Sequence, residues 1–489
     1  MNIWYLWRDL RKRIIQSDLW TVFESQEMQI SFILHEMEIY GIGFDQRHFQ
    51  SEIVNLRVQL RELSDKAFAL SGQSFNLQSP DQVSTILFNH LNLNSKYETS
   101  KHKRSTSMEY LKSIEKEHPI ISIIIQYRIL SKLMNSYYEP LSQIKLTQNS
   151  STETVINIIQ TEWNQIDTCT GRLSSSNPNL QNLPRPNKYS GNQNINLSVR
   201  TAFRCRSAKG VLISADYSQM EVRVMATLSG DVNLIAIFES GEESDVYKLL
   251  ASSIFSKHVC QVSDDERNCC KTITLGILYG MGVHGLSKRL ASNLGRQYSR
   301  SDANKILGKF FQRFPGLKTF QDNIMSMCIE NGYIRTTTRR RRYLPDIHSS
   351  DSSLKARSRR QAVNTVIQGT SSDIVKQAMI MIRAQQMKGV EIVMQIHDEI
   401  VIEVDDDKDL DRICVMVRSC MQNVPDISSS SIPFPINFKI GRDLEHLEEY
   451  IFPLTSDSVI TEQSTIGTEE TVSERIDRKM DLFRFHGSA

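Results

Sequence analysis

Two short apolar runs each carry an aspartate to a strand end. Residues 211–215 (VLISA) stop at Asp216, and residues 392–396 and 400–404 flank His397 and Asp398 as the arms of a hairpin. Branched aliphatic runs of this length, bounded by polar residues, read as buried strands. The aspartates are 182 positions apart, so they meet only if both strands lie side by side in one sheet. Converging carboxylates on rigid strands suit a hard cation, and Mg²⁺ held this way completes its coordination with water and substrate phosphates. The pattern points to phosphoryl or nucleotidyl transfer, with Glu399 in a supporting position. A single aspartate at a strand end is usually a turn residue, so the reading needs further elements.

The amphipathic segment 264–279 supplies some of them. Arg267, Lys271, Leu275 and Tyr279 follow one another at i, i+4 steps, each drifting by about 40°, and share a broad helix face. Arg offers a planar fork and Lys a compact charge for phosphate oxygens, and a ring further along can stack on a base. By itself such a pair of cations is more often a solvated stripe. Residues 335–360 carry nine basic residues against Asp346 and Asp351, net +7, a charge cluster suited to a phosphate backbone. Residues 339–342 can also be read as a nuclear localisation signal.

The whole chain has 58 Lys and Arg against 56 Asp and Glu, so only this local clustering suggests a polyanionic partner. Its 489 residues, 40% hydrophobic and 23% charged, predict roughly three structural units of ordinary globular composition. Eight cysteines without a Cys-x-x-Cys repeat read as reduced thiols. No run approaches the ~20 apolar residues of a membrane span, so no membrane partner is expected. Trp4, Tyr5, Leu6 and Trp7 before Arg8, Arg11, Lys12 and Arg13 suggest a short helix rather than a targeting peptide, because Asp9 and Asp18 interrupt the charge. Residues 21–145 and 231–380 have helical texture, residues 96–107 read as a flexible basic loop, and residues 171–200 as an ordered loop broken by prolines. The tail 455–489, with four basic and seven acidic residues, is expected to be disordered.

The segments TGRLSSSNPNLQNLPR (170–185), SADYSQMEVR (214–223), ERNCCKTITLGILYGMG (266–282), RRYLPD (341–346), RQAVNTVIQGTSSDIVK (360–376) and QIHDEIV (395–401) occur in the order found in family A DNA polymerases, and over residues 25–453 the chain resembles their polymerase domain. Within that family it looks most like eukaryotic polymerase theta, with polymerase nu next. The resemblance implies an α+β right hand: an N-terminal helical remnant (1–49), a helical thumb (50–171), an antiparallel-sheet palm (172–221 and 355–453), helical fingers (222–354) and a tail from 454 on. It implies template-directed addition of dNTPs to a primer 3′ end. Asp216, Asp398 and the Tyr217 carbonyl would hold two Mg²⁺ ions, and Lys271 would join the aspartates as a catalytic group. Arg267, Lys271, Leu275, Tyr279, Glu221, Tyr247 and Gln219 would bind the nucleotide, with Glu221 crowding the 2′ position. Arg172, Gln368, His397, Asn364, Gly280, Arg360 and the run Arg339, Arg340 and Arg341 would contact primer-template DNA.

The sequence departs from the family pattern at several points. Leu275 stands where relatives usually have Phe or Tyr, Tyr247 where many have His, and Arg339 where Gly is expected before the arginine run. The stretch before residue 50 is short for an exonuclease-like domain, so proofreading is not expected, and a theta-like helicase would lie outside the chain. The subgroup resemblance further implies a nuclear monomer in DNA repair, translesion synthesis or end joining, with a mitochondrial location also open. The alternatives are a replicative or organellar polymerase and a catalytically silent DNA-binding remnant.

Overall fold

In the computed structural model, which describes residues 3–93, 104–148, 157–184, 198–207, 209–239, 245–295 and 297–452, the first apolar run forms the strand Val211–Tyr217 at the centre of a sheet. On one side it pairs with Glu399–Val404 and through that strand with Val390–Ile396. On the other it pairs with Ile436–Gly441 and then Glu448–Glu449. All four contacts are antiparallel. Val211 to Ala215 are all buried, because the sheet is covered on both faces and its middle strand has no wet side.

A 33-residue helix, Ser352–Ala384, packs along this sheet. Its start is set by Asp351, whose carboxylate accepts from the Ser353 and Leu354 amides. Helices Met220–Ser229, Val246–Phe255, Asp264–Leu278, Val283–Leu294, Arg300–Arg313 and Pro315–Asn331 form most of the insertion between the central strand and the long helix. The helical reading of 231–380 is interrupted by one hairpin, Tyr333–Arg335 with Arg341–Tyr343, which contains the start of the basic cluster. β-branched and aromatic residues at 333, 334 and 343 favour that pairing over helix.

A separate apolar cluster joins Gln46–Ser71 to Pro119–Leu133 through Ala67, Leu87, Leu111, Ile120, Ile121, Ile124 and Ile125. Residues 3–44 are not wholly helical. Ile42–Phe44 forms a strand between Asn157–Ile159 and Phe203–Arg204, and the apolar Ile42 and Phe44 are buried there. Arg104, expected in a flexible basic loop, is anchored by donation to the Phe88 carbonyl, while 96–103 lie outside the described residues. Within 171–200 a strand, Ser174–Ser176, pairs with Glu162–Asn164; residues 185–197 and the tail from 453 on lie outside the described residues. No described helix is long and apolar enough to cross a membrane.

Candidate active site

The sheet brings the two predicted aspartates to the same end. Asp216 lies opposite Glu399, and the Tyr217 amide donates to the Asp398 carbonyl at 3.2 Å. His397 and Asp398 are the two turn residues between Val390–Ile396 and Glu399–Val404, with His397 at φ +57°. The turn is held from below: Gln181 Nε2 donates to the Gln395 carbonyl at 2.9 Å, and the Gln395 side chain donates to the His397 carbonyl. Glu399 accepts from Ser214 Oγ at 2.5 Å, which fixes it on the sheet. Burial pushes the Asp398 carboxyl up to about 7; Arg172 opposes the shift, and the negative charges of Glu221 and Asp216 add to it.

Arg172 lies beside this acidic group. Its Nη2 is 2.5 Å from Glu221 Oε1 and 3.8 Å from Asp398 Oδ1. Glu221 sits in the first turn of Met220–Ser229, which begins at Gln219 in a left-handed conformation, φ +51°. Tyr279 donates to the other Glu221 oxygen at 3.4 Å, and Gln368 on the long helix bonds the same phenol, so four elements meet through Glu221 and Tyr279. Burial and the Glu221 charge raise the Tyr279 phenol above its ordinary value.

Tyr279 follows the helix Asp264–Leu278, one residue shorter than expected. Ser263 and Glu266 form a capping box at its start, and Asp264, Asp265 and Glu266 complement its dipole. The chain leaves it through Gly280, at φ +60°, where a Cβ would lie 2.8 Å from Arg360 Cα; only glycine allows this approach between the loop and the long helix. One turn apart on the exposed side, Lys271 Nζ and Arg267 Cζ lie 5.6 Å and 6.0 Å from the Tyr247 ring centre. Tyr247 also feels the charges of Asp245 and Glu221, so the cations are contiguous with the acidic group. Burial, more than those charges, raises its phenol. Leu275 is half-buried against the core. Arg267 is held by Asp245 at 2.5 Å, a partner that could have been suspected only from the position of Asp245 as a helix cap ahead of Tyr247.

Asn364, like Gln368, is half-buried on the long helix, and Arg360 is exposed there. The predicted arginine run is not one surface. Arg339 is exposed at 59%, whereas Arg340 points inward to Glu27 and Asp373, two carboxylates distant in sequence. A Cβ on Gly171 would come 2.6 Å from Arg340 Nε, so Gly171, at φ +81°, leaves the space that this inward path occupies. The expectation that Arg340 faces a duplex is therefore corrected: its guanidinium is committed to internal acids. Arg341 donates to the Ser17 carbonyl and stacks over Tyr333.

The model of DNA polymerase family A matches residues 46–446, most of the chain. The chain belongs to DNA polymerase family A. It is 34% identical over 443 residues to the thermostable DNA polymerase I of Thermus thermophilus, covering 90% of this chain and 50% of that protein, and 32% identical to DNA polymerase I of Bacillus caldotenax, covering 90% and 48%. The chain thus spans about half the length of the curated relatives it matches. The polymerase domain of Pol1 from M. smegmatis, solved with DNA primer-template and dNTP, superposes with a TM-score of 0.74 at 29% identity, covering 89% of this chain and 73% of that one. The helix-rich body around an antiparallel sheet is the right-hand fold of this family.

Proposed function

We propose that this chain is a DNA-directed DNA polymerase that adds deoxynucleotides from dNTPs to a primer 3′ end. The observation that carries the reading is the meeting of Asp216 and Asp398 at one sheet end, beside the Arg172–Glu221–Tyr279 group and the Arg267–Lys271 helix face. The donor chemistry fits Mg²⁺. The groups are carboxylates, and Asp398 is pushed up by burial, with a smaller addition from the charges of Glu221 and Asp216 that a hard cation would relieve. An Mg²⁺ ion held by two carboxylates completes its coordination with water and substrate oxygens. Asp216, Asp398 and the Tyr217 carbonyl would hold two such ions, which when bound favour the primer 3′ oxygen as a nucleophile and stabilise the leaving pyrophosphate.

The chain's own residues do the rest. Arg267, oriented by Asp245, and Lys271 hold the triphosphate; Tyr247, Gln219 and Leu275 line the nucleotide. Glu221, fixed between Arg172 and Tyr279, stands against a 2′ hydroxyl and disfavours ribonucleotides. Tyr279 and Gly280 border the templating base, and Arg172, Gln368, Asn364, His397 and Arg360 face the primer-template. The reading divides the chain into a thumb (50–171), a palm (172–221 and 355–453) and fingers (222–354), and the separate apolar cluster supports a thumb of its own. Action in repair, translesion synthesis or end joining, and a nuclear location, rest on the likeness of residues 266–282, 341–346 and 360–376 to polymerase theta.

Primer extension with Mg²⁺ and one dNTP at a time tests the reading. Addition of the nucleotide complementary to each templating base is expected; binding of primer-template without extension would identify a silent DNA-binding remnant instead. Leu275 offers an aliphatic contact where an aromatic ring would stack. Leu275→Tyr is expected to lower the dNTP KM several-fold, since stacking contributes about 1–3 kcal/mol per base, and to change the error rate. Unchanged KM and fidelity would show that position 275 does not touch the incoming base.

A further inference from the structure

Two residues in backbone conformations unusual for side-chain-bearing residues meet on the surface. Asp18, in the turn after the helix Ile3–Gln16, has φ +54°, and Arg339, at the tip of the arginine hairpin, has φ +68°. Such conformations persist where surrounding contacts over-determine them. The contact here is an ion cluster. Arg335 Nη1 donates to Asp18 Oδ2 at 2.9 Å, and Arg339 Nη1 donates to the same carboxylate at 3.1 Å and 3.3 Å. Arg341 donates to the neighbouring Ser17 carbonyl at 2.7 Å. Three guanidiniums therefore converge on two consecutive residues that bring a single carboxylate.

The parts differ in freedom. Arg335 is 17% exposed and lies 5.3 Å from the Tyr333 ring centre, so its fork is pre-oriented. Asp18 and Arg339 are 48% and 59% exposed and can exchange partners with solvent and its ions. A guanidinium fork receives carboxylate and phosphate oxygens in the same geometry, so an anion that fits the Asp18 carboxylate position fits a phosphodiester.

We propose that Arg335 and Arg339 form a subsite for a backbone phosphate of DNA, and that Asp18 is its internal stand-in, displaced when the phosphate arrives. The inference rests on the polymerase reading for the presence of DNA and goes beyond it in assigning Arg335 to the contact and in the competing role of Asp18. Asp18 holds the hairpin tip in its binding shape while competing with the ligand. Its removal takes away the carboxylate that competes with the phosphate, while Arg335 keeps its bond to the Tyr333 hydroxyl at 3.3 Å.

Titration of a labelled primer-template with the whole chain, from about 50 to about 200 mM salt, tests this. Asp18→Asn and Asp18→Ala are expected to bind several-fold tighter at the low-salt end, because the arriving phosphate no longer has to displace a tethered carboxylate. Arg339→Gly, which also suits the left-handed backbone, is expected to weaken binding several-fold and, combined with Asp18→Asn, to abolish the gain. Melting curves report that each variant is folded. Asp18→Asn binding no tighter than the parent at any salt, or a gain that survives Arg339→Gly, overturns the subsite. Failure of the parent chain to bind primer-template at all overturns the polymerase reading and this inference with it.

Discussion

Replacing Asp398 with alanine is expected to slow primer extension by about 10³-fold or more, roughly 4 kcal/mol of lost transition-state stabilisation, while leaving the fold intact. The side chain projects from a two-residue turn and is 22% exposed, so its loss opens no apolar cavity. It also removes a carboxyl crowded by Glu221 and Asp216, which relieves repulsion within the protein. Stability should therefore hold or rise slightly as activity disappears. Asp216→Ala should behave alike, because its backbone ladder to Glu399 and Asn437 does not depend on the side chain. Single-turnover extension and thermal melting on the same preparations measure both effects, with primer-template binding retained. Extension within ten-fold of the parent for either variant would remove that aspartate from the chemistry.

Asp373→Ala is expected to act in the opposite way, costing about 3–5 kcal/mol of stability. Asp373 is fully buried on the long helix and accepts from Gln26 at 2.8 Å, Thr336 at 2.7 Å, Thr338, and Arg340 at 2.7 Å and 2.9 Å. Arg340 and Lys376 both also reach Glu27, with Lys376 Nζ 2.9 Å from it. Burial alone would raise the Glu27 carboxyl, but the two cations outweigh it and hold it below the ordinary value; burial lowers the Lys376 ammonium. Removing Asp373 leaves Arg340 short of one buried anion and strands the donors of Gln26 and Thr336. Denaturant unfolding should show a lower midpoint. A loss below about 1 kcal/mol would mean that the network relaxes around the gap.

The aspartate pair was legible in the sequence because strand-forming runs and the aspartates at their ends are local features: a short apolar stretch reads as a buried strand wherever it occurs. The helix face of Arg267, Lys271 and Tyr279 was legible for the same reason, since helical spacing is periodic along the chain. The arginine cluster was not. Charge counting placed Arg339, Arg340 and Arg341 together as one surface, yet consecutive residues in a tight hairpin point different ways, and each found a different anion or carbonyl.

What separates these cases is the distance over which the determining interaction acts. Backbone preference and apolar periodicity are written within ten or so neighbouring residues, so strands, helices and the positions of Asp216 and Asp398 upon them could be read directly. The fate of a charged side chain depends on which opposite charge the folded chain places beside it. Arg340 became an interior tie because Glu27 and Asp373, 313 and 33 positions away, surround it, and Asp18 became a surface partner of Arg339 across 321 positions. Desolvation makes a buried charge depend on its partners, and only the assembled protein supplies them.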